Sequence, residues 1–273
     1  NLLFYMRFLP PEYHFLTPFK SPNLLRLGIE KDGGYIVDQK ILKNSNFLIS
    51  FGMAEEYSFE IDFLKFDKNN KLIIFDFSIS HIHYFREIFK NLRRIIKLKR
   101  SLKDLSACIY NYFQFIKFTN LKEVNFFSKK ITPNNDIKND ISIHKIFDEH
   151  MKLNKKNITL KIDIEGTEYE IIDEILKYHE VIDQIIIEYH DTHLRKKEFL
   201  DNMKKYLNKF HITHLHANNY QGHNSDGFPI NIEITFINKK FFDKSYKKHL
   251  NFPINKLDYP NNPNLKDLKF SFG

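Results

Sequence analysis

The stretch ITLKIDIEGTEYEII (residues 158–172) changes period in its middle, and that change decides the fold. Its first half, Ile158 to Ile162, is largely apolar on both faces, the pattern of a strand covered from both sides. Asp163, Ile164 and Glu165 close the run, and Gly166 opens a turn. Thr167 and Glu170 then stand at capping-box spacing, and Ile171, Ile172, Ile175 and Leu176 recur at helical spacing, so a helix is expected from Gly166. A buried strand that delivers two acids into a glycine-led helix is a βα unit with its chemistry at the strand's carboxyl end.

The same alternation continues in both directions. NFLISFG (46–52) reads as a first strand, EEYSFEIDFLKF (55–66) as a helix, and KLIIFD (71–76) as a second strand. Residues 81–118 carry helical pattern enough for two helices, and EVNFF (123–127) is a third strand. After the strand at 158–163 come QIIIEYH (184–190), a helix with Phe199, Met203 and Tyr206 on one face, HITHLHA (211–217) and NIEITFI (231–237). The loop NNYQGHNSDGFP leaves no room for a helix, so the last two strands should pair antiparallel after a parallel series. The expectation is an α/β protein: a seven-stranded doubly wound sheet with an antiparallel last strand. It forms a single domain over residues 1–273, with an N-terminal extension (1–45), a core (46–238) holding a helical insertion (81–118), and a tail (239–273).

Composition narrows the class. Aromatic residues make up 15% of the chain and hydrophobic residues 42%, which excludes a disordered protein. Only 8 glycines are present, where average usage gives roughly 19, so each needs a reason. The net charge of +8 favours anionic partners. A single cysteine, Cys108, permits no internal disulfide and fits a reducing compartment, so a cytoplasmic location is expected. No apolar run approaches the roughly 20 residues of a membrane span.

In open α/β sheets ligands bind beyond the carboxyl ends of the strands. The first strand ends at Gly52, where a lone glycine lets a ligand approach the backbone, but the G-x-G-x-x-G fingerprint of a dinucleotide oxidoreductase is missing. Asp76 ends the second strand where a carboxylate could take two ribose hydroxyls. Asp163 and Glu165 share a side of the pleat and repel unless a cation, a proton or a lysine lies between them. Glu188 and His190 end the fifth strand, and His214 and His216 lie on the sixth; seven of the 13 histidines fall within 179–223. Imidazole and carboxylate on adjacent strand ends can hold a divalent ion or act as a base. Asp163, Glu188 and His190 are therefore site candidates, since charged groups after apolar strands are costly without a partner. His211 and His214 read as strand residues with satisfied hydrogen bonds, and His179, His193 and His223 as surface. RRIIKLKRSLK (93–103) is the densest basic run, read as a solvated helix face in preference to a nucleic-acid patch.

LKIDIEGTEYEII (160–172) resembles the FkbM family of S-adenosylmethionine-dependent methyltransferases, marked by a lysine-x-aspartate-x-glutamate-glycine run leading into a helix. RLGIEKDGGYIV (26–37) looks like the Asp-Gly-Gly-Tyr segment of one branch of that family, similar to enzymes of bacterial polysaccharide pathways. ISFGMAEEYSFE (49–60) resembles its first nucleotide-binding turn, and IIIEYH, LHANNYQG and IEITF resemble its closing strands. The resemblance covers about residues 24–238 and implies a class I methyltransferase (Rossmann-like) fold and O-methyl transfer from S-adenosyl-L-methionine. Carried over by position, the cofactor would meet Gly33, Gly34, Ser50, Gly52, Asp76 and Ser128, with Gly52 at its methionine part, Asp76 at the ribose, and Ser128 with Lys129 at the adenine. The first turn departs from the pattern: Gly52 is followed by Met53, Ala54, Glu55 and Glu56, where typical members carry further glycines.

The expected activity is methylation of a sugar hydroxyl on a nucleotide-activated sugar or a capsular or surface-glycan precursor. Asp163, Glu188 and His190 are expected around a Mg²⁺ or Mn²⁺ that lowers the hydroxyl's pKa, with Asp163, His190 and His216 as catalytic groups. A metal-free version keeps the same residues, with His190 or Asp163 as base. An RNA or polyketide methyltransferase, and a non-catalytic scaffold binding nucleic acid through 93–103, are the alternatives. The partner is expected to be a small molecule rather than nucleic acid, and the insertion either covers the acceptor or makes a homodimer contact.

Overall fold

Alternate residues of the central strands enter two different cores, as a doubly wound sheet requires. The computed structural model describes residues 6–97, 101–134, 138–150 and 157–273. In β1 (Phe47–Phe51) and β2 (Lys71–Phe75), Leu48, Leu72 and Ile74 pack with Phe59 and Phe63 of α1 (Ser58–Phe66). Ile49, Phe51, Ile73 and Phe75 point the other way, into a larger cluster with Phe199, Met203 and Tyr206. None of these side chains is more than 3% exposed, and each contributes about 1.5–3 kcal/mol through burial.

β3 (Val124–Phe127), β4 (Ile158–Ile162), β5 (Ile182–Tyr189), β6 (Phe210–His223) and β7 (Pro229–Asn238) complete the sheet in the order β3-β2-β1-β4-β5-β7-β6. The pairs from β3 to β5 are parallel, and β7 runs antiparallel to both β5 and β6. This is the expected seven-stranded doubly wound sheet with an antiparallel last strand. The strand order reverses between β1 and β4, where the crevice for a ligand opens.

The insertion is two helices, α2 (His81–Ile96) and α3 (Leu102–Thr119), started by Ser80 and by a Ser101–Asp104 capping box. Leu98–Arg100 of the basic run lie outside the described residues. α4 (Ile143–His150), α5 (Ile172–Lys177) and α6 (Lys196–Leu207) follow. The helix expected from Gly166 is delayed. Glu165 (φ 53°) and Gly166 (φ 103°) are left-handed, Thr167–Tyr169 forms a 3-10 turn, and α5 starts only at Ile172. The Gly166 N–H is taken by Glu168 at 2.7 Å, so the Thr167–Glu170 capping box does not form. β6 also runs six residues past its expected end at Ala217, and the turn of the last hairpin is confined to 224–228.

Both the N-terminal extension and the tail form short strands. Leu24–Leu27 and Tyr35–Asp38 form a hairpin lying on β5 and β7, where the Asp38 N–H donates to Gln184 (3.0 Å) and Thr235 to the Ile36 carbonyl (2.6 Å). Arg7–Phe8, Phe270–Ser271 and Asn251–Phe252 make a small sheet that joins the two ends of the chain. The tail thereby brings Asp258, Asn261 and Asp267 to the polar end of β6 and β7.

Candidate active site

A cavity of 310 Å³ opens at the reversal of strand order, lined by Gly52–Ala54, Asp76–Ser78, Lys129–Ile131 and Asp163–Glu165. Gly52 is glycine for a local reason: its φ is +80°, and a Cβ there would lie 1.7 Å from the Asp163 carbonyl oxygen. The close approach expected of a ligand is made by the neighbouring backbone. Asp76 accepts from the Met53 and Ala54 N–H groups (2.7 Å each) on one oxygen. Its other oxygen accepts from the Ser78 N–H (2.7 Å), the Ser78 hydroxyl (2.6 Å) and the Ile79 N–H (3.3 Å). Asp76 thus staples the loops after β1 and β2, and ribose hydroxyls would share oxygens already in use. Phe77, 61% exposed on the same wall, offers an apolar face. Volume, carboxylate and apolar face together fit a nucleoside cofactor.

Asp163 and Glu165 also belong to a carboxylate–imidazole group. The Tyr35 hydroxyl donates to Asp163 Oδ2 at 2.8 Å. Glu168, fully buried, accepts from the His190 backbone N–H (2.8 Å) and meets its Nδ1 at 3.0 Å, while the Tyr169 hydroxyl donates to the His190 carbonyl (2.6 Å). With Nδ1 donating to Glu168, Nε2 faces Glu165 at 3.6 Å, Glu188 at 3.7 Å and Asp163 at 3.8 Å. Burial opposes charge on this ring, but the Glu168 hydrogen bond and the Glu188 and Asp163 charges outweigh it, and its pKa is pushed up to about 10. With no metal ion bound, these carboxylates favour the protonated ring, which argues against the general-base role expected of His190. Burial, with the Asp163 and Glu233 charges, holds the Glu188 carboxyl well above the usual range.

Asp163, Glu165 and His190 each offer a ligand atom, all within 4.8 Å of one another. Two carboxylates and an imidazole that gives up its Nε2 proton suit Mg²⁺ or Mn²⁺, and Glu168 on Nδ1 orients the ring as an outer carboxylate does in metal sites. Glu188, expected as a ligand, falls outside this set. It is 3% exposed and accepts from the Asn218 amide at 2.8 Å.

Several expected residues sit elsewhere. Ser50 is fully buried and donates to Glu60 (2.7 Å), in a unit where Lys161 holds Glu60 (3.1 Å) and the Gly52 carbonyl (2.9 Å), so it does not line the cavity. Gly33 and Gly34 build the turn that delivers Tyr35; a Cβ on Gly34 would lie 2.0 Å from the Ile29 carbonyl, and neither lines the cavity. Ser128 is displaced by one residue: its hydroxyl donates to the Ile79 carbonyl (3.4 Å), and Lys129–Ile131 take the wall.

His216 is not a base or substrate ligand. It is fully buried, with Nδ1 on Glu233 (3.2 Å) and Nε2 on Asp267 (3.1 Å). Burial opposes its charge, but those two carboxylates raise its pKa well above the ordinary value. His214 is buried beside Asp258 (2.9 Å) and His211 packs on Phe242, both on the strand as expected, but the satisfied hydrogen bond expected of His214 is not formed at Nε2. His193 is exposed, but the ring nitrogens of His223 are buried, and burial, with Arg7 adding, pushes its pKa down to about 4. The residues that sequence reasoning missed are Tyr35, Glu168 and Tyr169. Their signals were a tyrosine directly after the glycine pair, and an acid and a phenol two and three residues after Gly166.

No family model matches the chain, and no curated protein matches it. Among solved structures it is similar to a provisionally assigned rRNA methylase from Clostridium thermocellum, at 10% identity over 76% of this chain and 88% of that one, TM-score 0.39. It is similar to a provisionally assigned caffeoyl-CoA O-methyltransferase from Staphylococcus aureus, at 11% identity over 74% and 85%, TM-score 0.37. TYW2 of M. jannaschii in complex with AdoMet is a further match, at 9% identity over 81% and 89%, TM-score 0.34. At such scores they add nothing to the reading of the site, which stands on its own residues.

Proposed function

We propose that the chain is an S-adenosylmethionine-dependent O-methyltransferase whose acceptor is a sugar hydroxyl, on a nucleotide-activated sugar or a surface-glycan precursor. The observation that carries the transferase reading is continuity: Asp163 and Glu165 belong both to the nucleoside-sized cavity and to the carboxylate–imidazole group. S-adenosylmethionine, when bound, supplies a methyl carbon already activated by the sulfonium charge. What the chain must do is place the hydroxyl in line and remove its proton.

Asp163 accepts that proton. It lines the cavity, and the Tyr35 hydroxyl fixes one of its oxygens and leaves the other toward His190. His190, held as a cation by Glu168, offsets the negative charge gathered around it. Where a Mg²⁺ or Mn²⁺ is bound, His190 would give up its Nε2 proton and hold the ion together with Asp163 and Glu165, and the ion would supply a lowered hydroxyl pKa and an oriented acceptor in place of the imidazolium charge. The acceptor class rests on the sequence resemblance, and the chain's net charge of +8 suits a diphosphate handle.

The test is methyl transfer from labelled S-adenosylmethionine to a set of nucleotide sugars and, separately, to total RNA, before and after dialysis against EDTA. A mass gain of one methyl group on a nucleotide sugar is expected. Transfer to RNA alone would remove the sugar acceptor, and full activity after dialysis would remove the metal.

A further inference from the structure

The inserted helices carry a disproportionate share of the exposed apolar surface and positive charge. Of the 18 large hydrophobic side chains exposed among the described residues, nine belong to α2 and α3. On α2, Ile82, Phe85, Phe89, Leu92 and Ile96 recur every three or four residues in one stripe, 39–82% exposed. On α3, Leu102, Ile109, Tyr110 and Phe113 are 36–74% exposed. The two stripes meet where Phe85 touches Tyr112 (5.3 Å) and Tyr112 touches Phe113 (6.2 Å). The inner edge of α2 is used within the protein, Tyr84 packing on Tyr112 and Phe115. Next round the helix from the exposed stripe stand Arg86, Lys90 and Arg93, all exposed. The described residues of the hairpin, 81–97 and 101–119, hold seven basic and two acidic side chains, a net +5 of the chain's +8.

A bulky apolar stripe bordered by arginine and lysine is the geometry of a helix that lies in a membrane interface, its apolar face at the acyl boundary and its cations among lipid phosphates. We infer that the α2–α3 hairpin docks this protein, lying flat, on an anionic phospholipid bilayer. No helix among the described residues is long and apolar enough to cross a membrane, so the contact is peripheral. A second copy seated on this face would bring two surfaces of net +5 together, against the charge. Nucleic acid would pair with the arginines and lysines but leave Ile82, Leu92, Ile96, Leu102 and Ile109 without a partner, since bases stack on aromatic rings. Docking is independent of the chemistry in the cavity. It does fix where the cavity faces, because Phe77 on its wall lies three residues before the Ser80 cap of α2.

The test is flotation of the full chain with vesicles of phosphatidylcholine alone and vesicles in which about a third of the lipid is phosphatidylglycerol. Binding to the anionic vesicles only is expected, weakened by added salt. Joint substitution Phe85→Ser, Phe89→Ser and Phe113→Ser should weaken it at least about tenfold. Joint substitution Arg86→Gln, Lys90→Gln and Arg93→Gln should weaken it about a hundredfold. These side chains are exposed, and unchanged melting curves would show that both variants fold. Docking is overturned by no vesicle binding, by binding that ignores the phenylalanine substitutions, by equal binding to RNA that survives them, or by self-association through this face in place of vesicle binding.

Discussion

The carboxyl end of the sheet holds two imidazoles among carboxylates, and they differ in what closes them. Around His190, Nε2 faces three carboxylates at 3.6–3.8 Å, and the Asp163 and Glu165 side chains remain 27% and 85% exposed beside a cavity. Around His216, both nitrogens are taken, by Glu233 and by Asp267 from the C-terminal tail, and the ring is fully buried. The two clusters are linked, since Glu188 stands opposite Glu233 and Glu233 opposite His216 across β5, β7 and β6. Contact between imidazole and carboxylate therefore does not mark a site by itself. Ligand capacity left over at the edge of a cavity does. We read the first cluster as chemistry and the second as a clamp between sheet and tail.

The largest expected effect separates them. Asp163→Ala should lower methyl transfer by about 10³-fold while changing unfolding free energy by no more than about 2 kcal/mol. His216→Ala should do the reverse. It leaves Glu233 and Asp267 facing each other without a cation, which costs at least about 3 kcal/mol in denaturant unfolding. Cofactor affinity of its folded fraction should be unchanged. If His216→Ala instead lost activity without losing stability, the division between the clusters would be wrong.

A smaller effect sharpens the first cluster. Tyr35→Phe removes one hydrogen bond to Asp163, and about a tenfold fall in kcat is expected, near the 1 kcal/mol of such a bond. An unchanged kcat would make Tyr35 a packing residue only.

A further effect, read on stability alone, concerns His223, an imidazole without a carboxylate. Its folded pKa of about 4 lies below the unfolded value of about 6.5. The unfolded chain therefore takes up a proton first as pH falls. Stability is complete above about pH 6.5 and drains toward pH 4, by up to roughly 3 kcal/mol. His223→Leu should flatten that limb of the stability profile relative to the parent, and parallel profiles would refute the assignment.

Much of the fold is legible in the sequence because the strands are apolar on both faces and the last loop has no room for a helix. Asp163 and His190 are legible because position alone, at the end of such strands, makes a charge costly without a partner. The remainder depends on distant chain. Tyr35 reaches Asp163 across 128 positions, and Asp267 reaches His216 across 51. No local pattern predicts either contact. Glu168 is hidden for another reason: a capping pattern at Thr167–Glu170 accounts for the local acids until the left-handed Glu165 and Gly166 displace the helix. Ser50 misleads through the pleat, since it shares a face with Lys161 and Glu60 rather than with the cavity.

The cavity at Gly52, Asp76 and Asp163 is the proposed cofactor site. Calorimetric titration of the full chain with S-adenosylhomocysteine, with and without Mg²⁺ or Mn²⁺, tests it most directly. One molecule bound per chain at micromolar strength is the expected result, and no binding in either condition would contradict the claim.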